Sequence, residues 1–520
     1  MITRRAFLHT PALLSALPAT AAKTFHFFDW FHVKKGELGV SLDPARMSPE
    51  GRTLRDSISR DFGRDFPLDG HALRPVDVPF GIRLAIEPAS KSAPWLGPDL
   101  PWEESTNFVR VIQEQGKFRC WYTARVKKAK QQLAFSDGRG MELSGSVLGY
   151  AESVDGLRWT KPELDVTRID GKRTNVVAAN INGGGVFRDD HGPPSERYKF
   201  FHFAERPKEL IPPNATTHER YGLFAFVSPD GLRWEQRPKL LIPYFSDTDN
   251  IGAWDPALGK YVGYFRHHIS ERSISRAETD DFWNWPQPEP ILYASPLDGP
   301  ADDYYTSGYT TYPDDPSLRL LFASIYHRDR DSIDVRLGIS RNGRLFQWVS
   351  LDPILPRGSH GEWDAGAVYV SPNLVRLPDG RIAAPFSGRS ISHNEHWFGA
   401  FYGDRADRTG AAWATWADGR LAGIEAAGHG EFTTKAAEFG GDAILVNART
   451  GRAGAVDVEL REKGRPIPGF AFDQCVGLEG DHIWSPMRWR GKDSLAMLKG
   501  RRLELRFRLR SAKVFGHRFG

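Results

Sequence analysis

Ser153-Val154-Asp155-Gly156-Leu157-Arg158-Trp159 and Ser228-Pro229-Asp230-Gly231-Leu232-Arg233-Trp234 are two copies of one heptapeptide, S-x-D-G-L-R-W. A looser copy runs Ser340-Arg341-Asn342-Gly343 and reaches its tryptophan at Trp348. A degenerate one is Glu278-Thr279-Asp280-Asp281-Phe282-Trp283-Asn284-Trp285. Asp-Gly and Asn-Gly tolerate a positive φ, so each copy reads as a hairpin turn. The tryptophan just beyond is placed to fold back over that turn. Such a turn, recurring along a chain of strands with little helix, is the pattern of β-propeller blades.

Extended strand pairs accompany these turns. They are Asn107–Ile112 with Phe118–Ala124, Val176–Ala179 with Tyr198–Phe203, and Ile251–Trp254 with Lys260–Arg266. Two more are Tyr309–Tyr312 with Leu318–Tyr326, and Gly366–Val370 with Arg381–Ser387. Each unit takes about sixty residues, enough for a four-stranded blade with loops to spare. Beyond about Leu421 the chain turns to short alternating strands punctuated by Gly454, Pro468-Gly469 and Gly480, a β-sandwich pattern. The expected fold is therefore all-β: a five-bladed β-propeller over residues 95–420, then a β-sandwich over 421–520. Residues 23–94 form a lead-in segment expected to pack on the propeller.

Composition narrows the function. Hydrophobic residues make 40% of the chain and charged residues 26%, a globular balance that excludes a disordered or fibrous protein. Lys plus Arg number 69 against 65 Asp plus Glu, and a net charge of +4 does not mark a nucleic-acid binder. With 2 cysteines there is no disulfide scaffold and no multi-cysteine metal centre. No stretch of the mature chain reaches the ~18 apolar residues of a membrane span. Phe, Tyr and Trp make 12% of the chain, more than a core requires, which suits a ligand with an apolar C–H face such as a sugar ring. At the N-terminus Arg4-Arg5 precede Ala6-Phe7-Leu8, an apolar run follows, and Ala19-Thr20-Ala21 offers a cleavage site. Residues 1–22 therefore read as a twin-arginine export signal, and the protein as periplasmic or extracellular.

With its turns, strand pairs and C-terminal sandwich, the chain resembles the five-bladed propeller glycoside hydrolases of the invertase and arabinanase type. Within that superfamily it is most similar to exported bacterial proteins. The resemblance covers residues 24 to 520 and is specific for fold rather than substrate. Sialidases carry a related turn, S-x-D-x-G-x-x-W, on six-bladed propellers. The invertase-type W-M-N-D-P-N-G motif is absent. Asp29 in Phe28-Asp29-Trp30 is its nearest counterpart and a reserve candidate.

Inner strands of a propeller line one funnel, so acids just before those strands converge. Such positions carry Trp102-Glu103-Glu104, Asn175, Asp247-Thr248-Asp249-Asn250, Asp302-Asp303-Tyr304-Tyr305 and Glu362-Trp363-Asp364. Glycoside hydrolysis needs two carboxyl groups across the scissile bond. The resemblance implies three acids from different blades, and Glu103, Asp249 and Asp364 are the catalytic candidates. Glu103, flanked by Trp102, is the candidate general acid, because desolvation raises a carboxyl pKa. Asp249 or Asp364 is then nucleophile or base. Substrate contacts are expected from Trp102, Asn175, Asn250, Arg266, Tyr305, Arg328, Trp363 and His393, since aromatic platforms and guanidinium forks suit sugars.

His267-His268 and His393/His396 match no common zinc spacing, so no metal or cofactor is expected; a structural Ca²⁺ is not readable from sequence. Gly183-Gly184-Gly185 reads as a loop without the strand–turn–helix context of a phosphate site. The expected partner is a carbohydrate, with no nucleic acid and no membrane span. The leading expectation is an exported glycoside hydrolase. A non-catalytic carbohydrate-binding propeller, a glycoside phosphorylase and a sialidase-like enzyme are the alternatives.

Overall fold

The structure is a computed structural model and describes residues 23–40, 47–62, 73–127, 131–143, 145–268, 271–395, 406–492 and 494–520. The export signal expected over residues 1–22 and the histidine at position 396 lie outside the described residues. The chain forms two compact units. One runs from Leu84 to Gly423, and the other combines the two chain ends, up to Arg83 and from Ile424. Among the described residues no helix is long and apolar enough to cross a membrane.

Residues 84–423 fold as successive four-stranded antiparallel sets, the last two joined into one sheet by a parallel bridge between Ile333 and Ala367, and Gln132–Phe135, Gly140–Glu142, Leu164–Ile169 and Lys172–Thr174 form a further four-stranded sheet. The first contains Glu103–Glu114, Lys117–Val126, Ser146–Ser153 and Val176–Ala179. Phe187–Arg188, Tyr198–Glu205, Tyr221–Ser228 and Glu235–Ile242 make the second. In the third are Ile251–Asp255, Lys260–His268, Arg272–Thr279 and Glu289–Leu292. Asp302–Thr306, Asp315–His327, Ser332–Ser340 and Gln347–Trp348 build the fourth, with Tyr309–Tyr312 added on Asp315–His327. The fifth comprises Ala367–Val370, Ile382–Arg389 and Thr409–Trp416, and Ser90–Lys91 supplies its outer strand. Each sheet packs on the next, and Glu103–Glu114 packs on the fifth, so the ring closes. The strand that completes the last sheet comes from ahead of the first.

One expected pairing is corrected. Val176–Ala179 pairs with Ser146–Ser153 as the last strand of the first sheet. The partner of Tyr198–Glu205 is the two-residue strand Phe187–Arg188. Both flanking strands of a buried sheet read as short apolar runs, so hydrophobicity could not tell the outer strand from the inner one. Asn175 consequently precedes an outer strand, and the triple-glycine loop leads into the second sheet's inner strand.

The heptapeptide turns staple neighbouring sheets together. In the first, Ser153 Oγ accepts the Gly156 N–H (2.9 Å), and Asp155 Oδ1 accepts those of Leu157 and Arg158 (both 2.8 Å). Ser228 and Asp230 repeat these bonds with Gly231, Leu232 and Arg233. In the loose copy, Ser340 and Asn342 repeat them with Gly343, Arg344 and Leu345. The three glycines hold φ of 72°, 74° and 72°, a left-handed conformation that disfavours any side chain. Their carbonyls reach the preceding sheet: Gly156 O accepts Trp413 Nε1–H, Gly231 O accepts Trp121 Nε1–H, and Gly343 O accepts the Tyr264 hydroxyl. In the degenerate copy Phe282 stands in the glycine's place and packs its ring on Phe187 and Phe201 of the second sheet instead. Local turn chemistry thus becomes inter-sheet structure.

The other unit is a large sheet built on Ile444–Glu462 and Arg502–Phe519, which pair along their length, with two separate two-stranded sheets, Glu37–Val40 with Leu73–Val76 and Cys475–Val476 with Arg488–Trp489. Register shifts at Asn447/Ala448 and Thr450/Ala455 bend the pair. Phe27 meets Phe432 and Phe507 edge-on in its aromatic core. The expected short strands are here joined into runs of 19 and 18 residues. The lead-in segment also differs from expectation: Lys23–His26 pairs with Arg502–Phe519 and belongs to this unit. The unit's α-helix is Pro49–Phe62.

Candidate functional site

All five sheets of the ring contribute to one polar–aromatic cluster. The loop before the third sheet carries Asp247 and Asp249. Asn250 shapes that loop: its Nδ2 donates to Ser246 O (2.9 Å) and Thr248 O (3.0 Å), and its Oδ1 accepts the Ser246 hydroxyl (2.6 Å). The expected ligand contact is therefore a structural residue of the loop. From the second sheet, Gly185 lies so close that a Cβ there would stand 2.5 Å from Asn250 O and 3.2 Å from Asp249 Oδ1. Only glycine permits that approach. The first sheet supplies Arg110, whose Nη2 pairs with Asp249 Oδ2.

Tyr305, on the fourth sheet's first strand, is the centre of the aromatic part. The Arg266 guanidinium lies 4.2 Å from its ring centroid and donates to its carbonyl at 3.2 Å. His393 meets the same ring edge-on at 4.6 Å, and Tyr326 and Tyr369 stand 6.3 and 6.0 Å away. Arg272 lies over both Tyr305 and Tyr326. Tyr369 Oη and His393 Nδ1 are 2.7 Å apart. The elements explain the convergence. Tyr305 and Tyr369 sit on inner strands, Arg266 and Tyr326 near the ends of second strands, and Arg272 at the start of a third strand. Antiparallel pairing brings those ends together.

Electrostatically the cluster is paired and polar. Asp247, half-exposed, accepts Arg266 Nη1–H at 2.5 Å. Asp303 is fully buried and takes Arg272 (2.8 Å) and Arg328. Asp331 accepts the Ser392 hydroxyl, the Tyr326 hydroxyl and two N–H groups of Asn394, and these bonds outweigh its burial and hold its carboxyl below the usual range. Burial, then the charge of Arg389, lowers the His393 imidazole to about 3, so it is neutral at physiological pH. Burial lowers the Arg110 guanidinium to about 9, still protonated there. Within the Arg110–Asp249 pair, Asp249 Oδ1 and Arg110 Nε are buried without a hydrogen-bond partner.

The three catalytic candidates meet different partners. Glu103 is 1% exposed and is bound by Lys161 Nζ at 2.7 and 3.0 Å, by the Tyr122 hydroxyl at 2.6 Å and by the Leu100 N–H. Asn175 Nδ2 donates to the same Tyr122 oxygen, and Trp102 packs in the adjoining core. Glu103, Trp102 and Asn175 thus form a buried structural group of the first sheet. Asp364 pairs with Lys91 at 2.6 Å, and Trp363 stacks on Phe386, which fixes both against the fifth sheet. The cluster itself holds Asp249, Arg266, Tyr305, Arg328 and His393. Arg110, Arg272 and Tyr369 join them, and Tyr326 belongs to the strand end Tyr326-His327-Arg328 that the sequence marks as basic and aromatic. Arg110 and Tyr369 alternate with valines and read as core; Arg272 and Tyr326 announce themselves only by lying at strand ends beside polar neighbours. Asp29, the reserve acid, lies in the other unit and accepts the Phe31 N–H. Among the described residues no three His, Cys, Asp or Glu converge as a metal site.

No family model matches the chain, and no curated protein sequence matches it. Among solved structures it is similar to a glycosyl hydrolase from Bacteroides ovatus, with 14% identity, 65% of this chain and 96% of that one covered, and a TM-score of 0.42. An alpha-L-arabinofuranosidase from Podospora anserina in complex with cellotriose aligns at 13% identity over 64% and 97% of the two chains, TM-score 0.39. An N-acetylgalactosamine deacetylase from F. plautii in complex with blood group B trisaccharide aligns at 13% over 65% and 96%, TM-score 0.38.

Proposed function

We propose that the funnel is a carbohydrate site and the protein an exported glycoside hydrolase in which Asp249 and Asp247 act on the glycosidic bond. One observation carries this reading: beside an aromatic–guanidinium floor, Asp249 keeps a buried carboxylate oxygen with no partner. A buried acceptor left unpaired costs free energy, so its retention suggests a partner that arrives with the substrate. Asp249 Oδ2 pairs with Arg110 while Oδ1 is left open, an arrangement that suits a nucleophile or base. The second carboxyl falls to Asp247, two residues away and half-exposed. Tyr305, Tyr326 and His393 offer ring faces and hydrogen-bonding edges to a sugar.

The test is a hydrolysis screen of the signal-free protein on aryl glycosides and polysaccharides, with Asp249→Asn, Asp247→Asn and Tyr305→Ala variants. Turnover lost in Asp249→Asn with the fold intact supports hydrolysis; turnover unchanged in all three variants refutes this site. A second reading, a binding-only propeller, is favoured by a specific feature: in the described cluster Asp247, Asp249 and Asp303 are each arginine-paired and Asp331 is held by several hydrogen bonds. Glycan binding without turnover would select it.

A further inference from the structure

Phe108 occupies a backbone conformation that its side chain disfavours. Its φ is +44°, in the left-handed region, where a bulky aromatic is an outlier. It lies in the innermost strand of the first sheet, at a break in pairing: Asn107 opposes Thr123 and Val109 opposes Tyr122, so Phe108 is the extra residue of a bulge. Asn107 Oδ1 accepts the Phe108 N–H at 2.9 Å and replaces the lost ladder bond. Beyond the bulge the strand resumes its pairing, with Val109, Arg110 and Val111 fully buried.

A strain of this kind persists where the surroundings enforce it, and it clusters at functional sites. Core burial does not account for it here, because the Phe108 ring is only half-buried. The bulge aims the ring at Tyr369, 5.6 Å between centroids, in the group that also contains Tyr305. Across that group stand Arg266, Arg272 and His393. We infer that Phe108 is a specificity-determining residue: its ring is the apolar wall on which the C–H face of an uncharged sugar ring stacks, opposite the polar floor around Tyr305. The inference rests on the carbohydrate reading of the funnel and adds the class of ligand. The cations and carboxylates of the cluster neutralise one another, which leaves no surplus charge for an anionic sugar.

The experiment compares Phe108→Gly, Phe108→Ala and Phe108→Tyr in the signal-free protein, with Tyr305→Ala as a control for the funnel. Binding of arabinotriose, xylotriose, mannotriose and galacturonic acid trimer is read by saturation-transfer NMR and calorimetry, and Tm by calorimetry. Phe108→Gly is expected to melt no lower than wild type and above Phe108→Ala, because glycine relieves the positive φ. Its affinity for the neutral sugar bound by wild type is expected to fall roughly tenfold, with Phe108→Tyr retaining it. Loss of binding in Tyr305→Ala but not in Phe108→Gly would overturn this inference and leave the funnel reading standing. A fall in Tm for Phe108→Gly with unchanged affinity would make Phe108 a core residue. Preference for the galacturonic acid trimer would overturn the neutral class. Binding by none of the four, or undiminished in Tyr305→Ala, would overturn the funnel reading and this inference with it.

Discussion

Replacing Glu103 with glutamine separates a structural acid from a catalytic one. The carboxylate is buried, receives two contacts from Lys161 Nζ, and accepts the Tyr122 hydroxyl and the Leu100 N–H. Lys161 is itself nearly buried, but it also donates to Gly97 O at 2.6 Å and pairs with Asp99, whose side chain is 73% exposed. Breaking a buried ion pair costs about 3–5 kcal/mol. The remaining partners of Lys161 place Glu103→Gln at the lower end, about 3 kcal/mol. Lys161→Met leaves a buried carboxylate with only neutral donors and is expected to cost about 4 kcal/mol. Removing both charges together is expected to restore part of the loss, giving a coupling of about 2 kcal/mol in a double-mutant cycle. Urea unfolding followed by tryptophan fluorescence reports it, since Trp102 adjoins the pair; because the chain has two compact units, the transition of the propeller is fitted separately. Turnover by the folded Glu103→Gln variant is expected to match wild type. A variant as stable as wild type but inactive would refute the structural assignment and restore Glu103 as the general acid.

The heptapeptide turns yield a second expectation: Trp234→Ala empties a buried site and removes the Nε1–H bond to Gly231 O within the turn, for a loss of about 3–5 kcal/mol, whereas the more exposed Trp159 is expected to cost less under the same denaturation assay. His327 gives a pH dependence. Burial alone would lower its pKa, but hydrogen bonds and charge from Asp334 (3.0 Å) and Asp302 (2.6 Å) outweigh it and raise the pKa above the ordinary value. Because the folded value exceeds the unfolded one of about 6.5, the stabilisation is complete below that pH and is lost as pH rises through the folded pKa. Stability of wild type relative to His327→Gln, measured by urea unfolding across that window, is expected to decline with rising pH; a flat difference would contradict the assignment. Finally, Cys120 and Cys475 are buried and unpaired, and burial raises both thiols. A thiol reagent is expected to label neither cysteine in the native protein and both after denaturation, with Tm unaffected by reductant.

The heptapeptide turns were legible in the sequence because every bond that makes them spans two or three residues. Ser153, Asp155 and Gly156 satisfy one another locally, so the residue types and their spacing carry the geometry. The inner and second strands of most sheets were legible for the same reason, from short apolar runs on either side of a turn. Arg266, Tyr305, Arg328 and His393 share one cluster because strand ends in a ring of antiparallel sheets converge. The sequence does not rank the acids. Glu103, Asp249 and Asp364 look alike in sequence, each an acid just ahead of a strand. Their fates depend on which cation the tertiary structure brings: Lys161 to Glu103, Lys91 to Asp364, Arg110 to Asp249. Arg110 and Tyr369 stayed hidden because an alternating strand buries polar and apolar residues in one pattern. By itself, then, the sequence determined the all-β class, the repeated turns and the aromatic surplus, all matters of local bonding and composition. Tertiary structure decided that Val176–Ala179 is an outer strand, that Lys23–His26 joins the C-terminal sheet, and which cation each of the three candidate acids meets, because those outcomes rest on long-range pairing and on the cost of burying a charge without its partner.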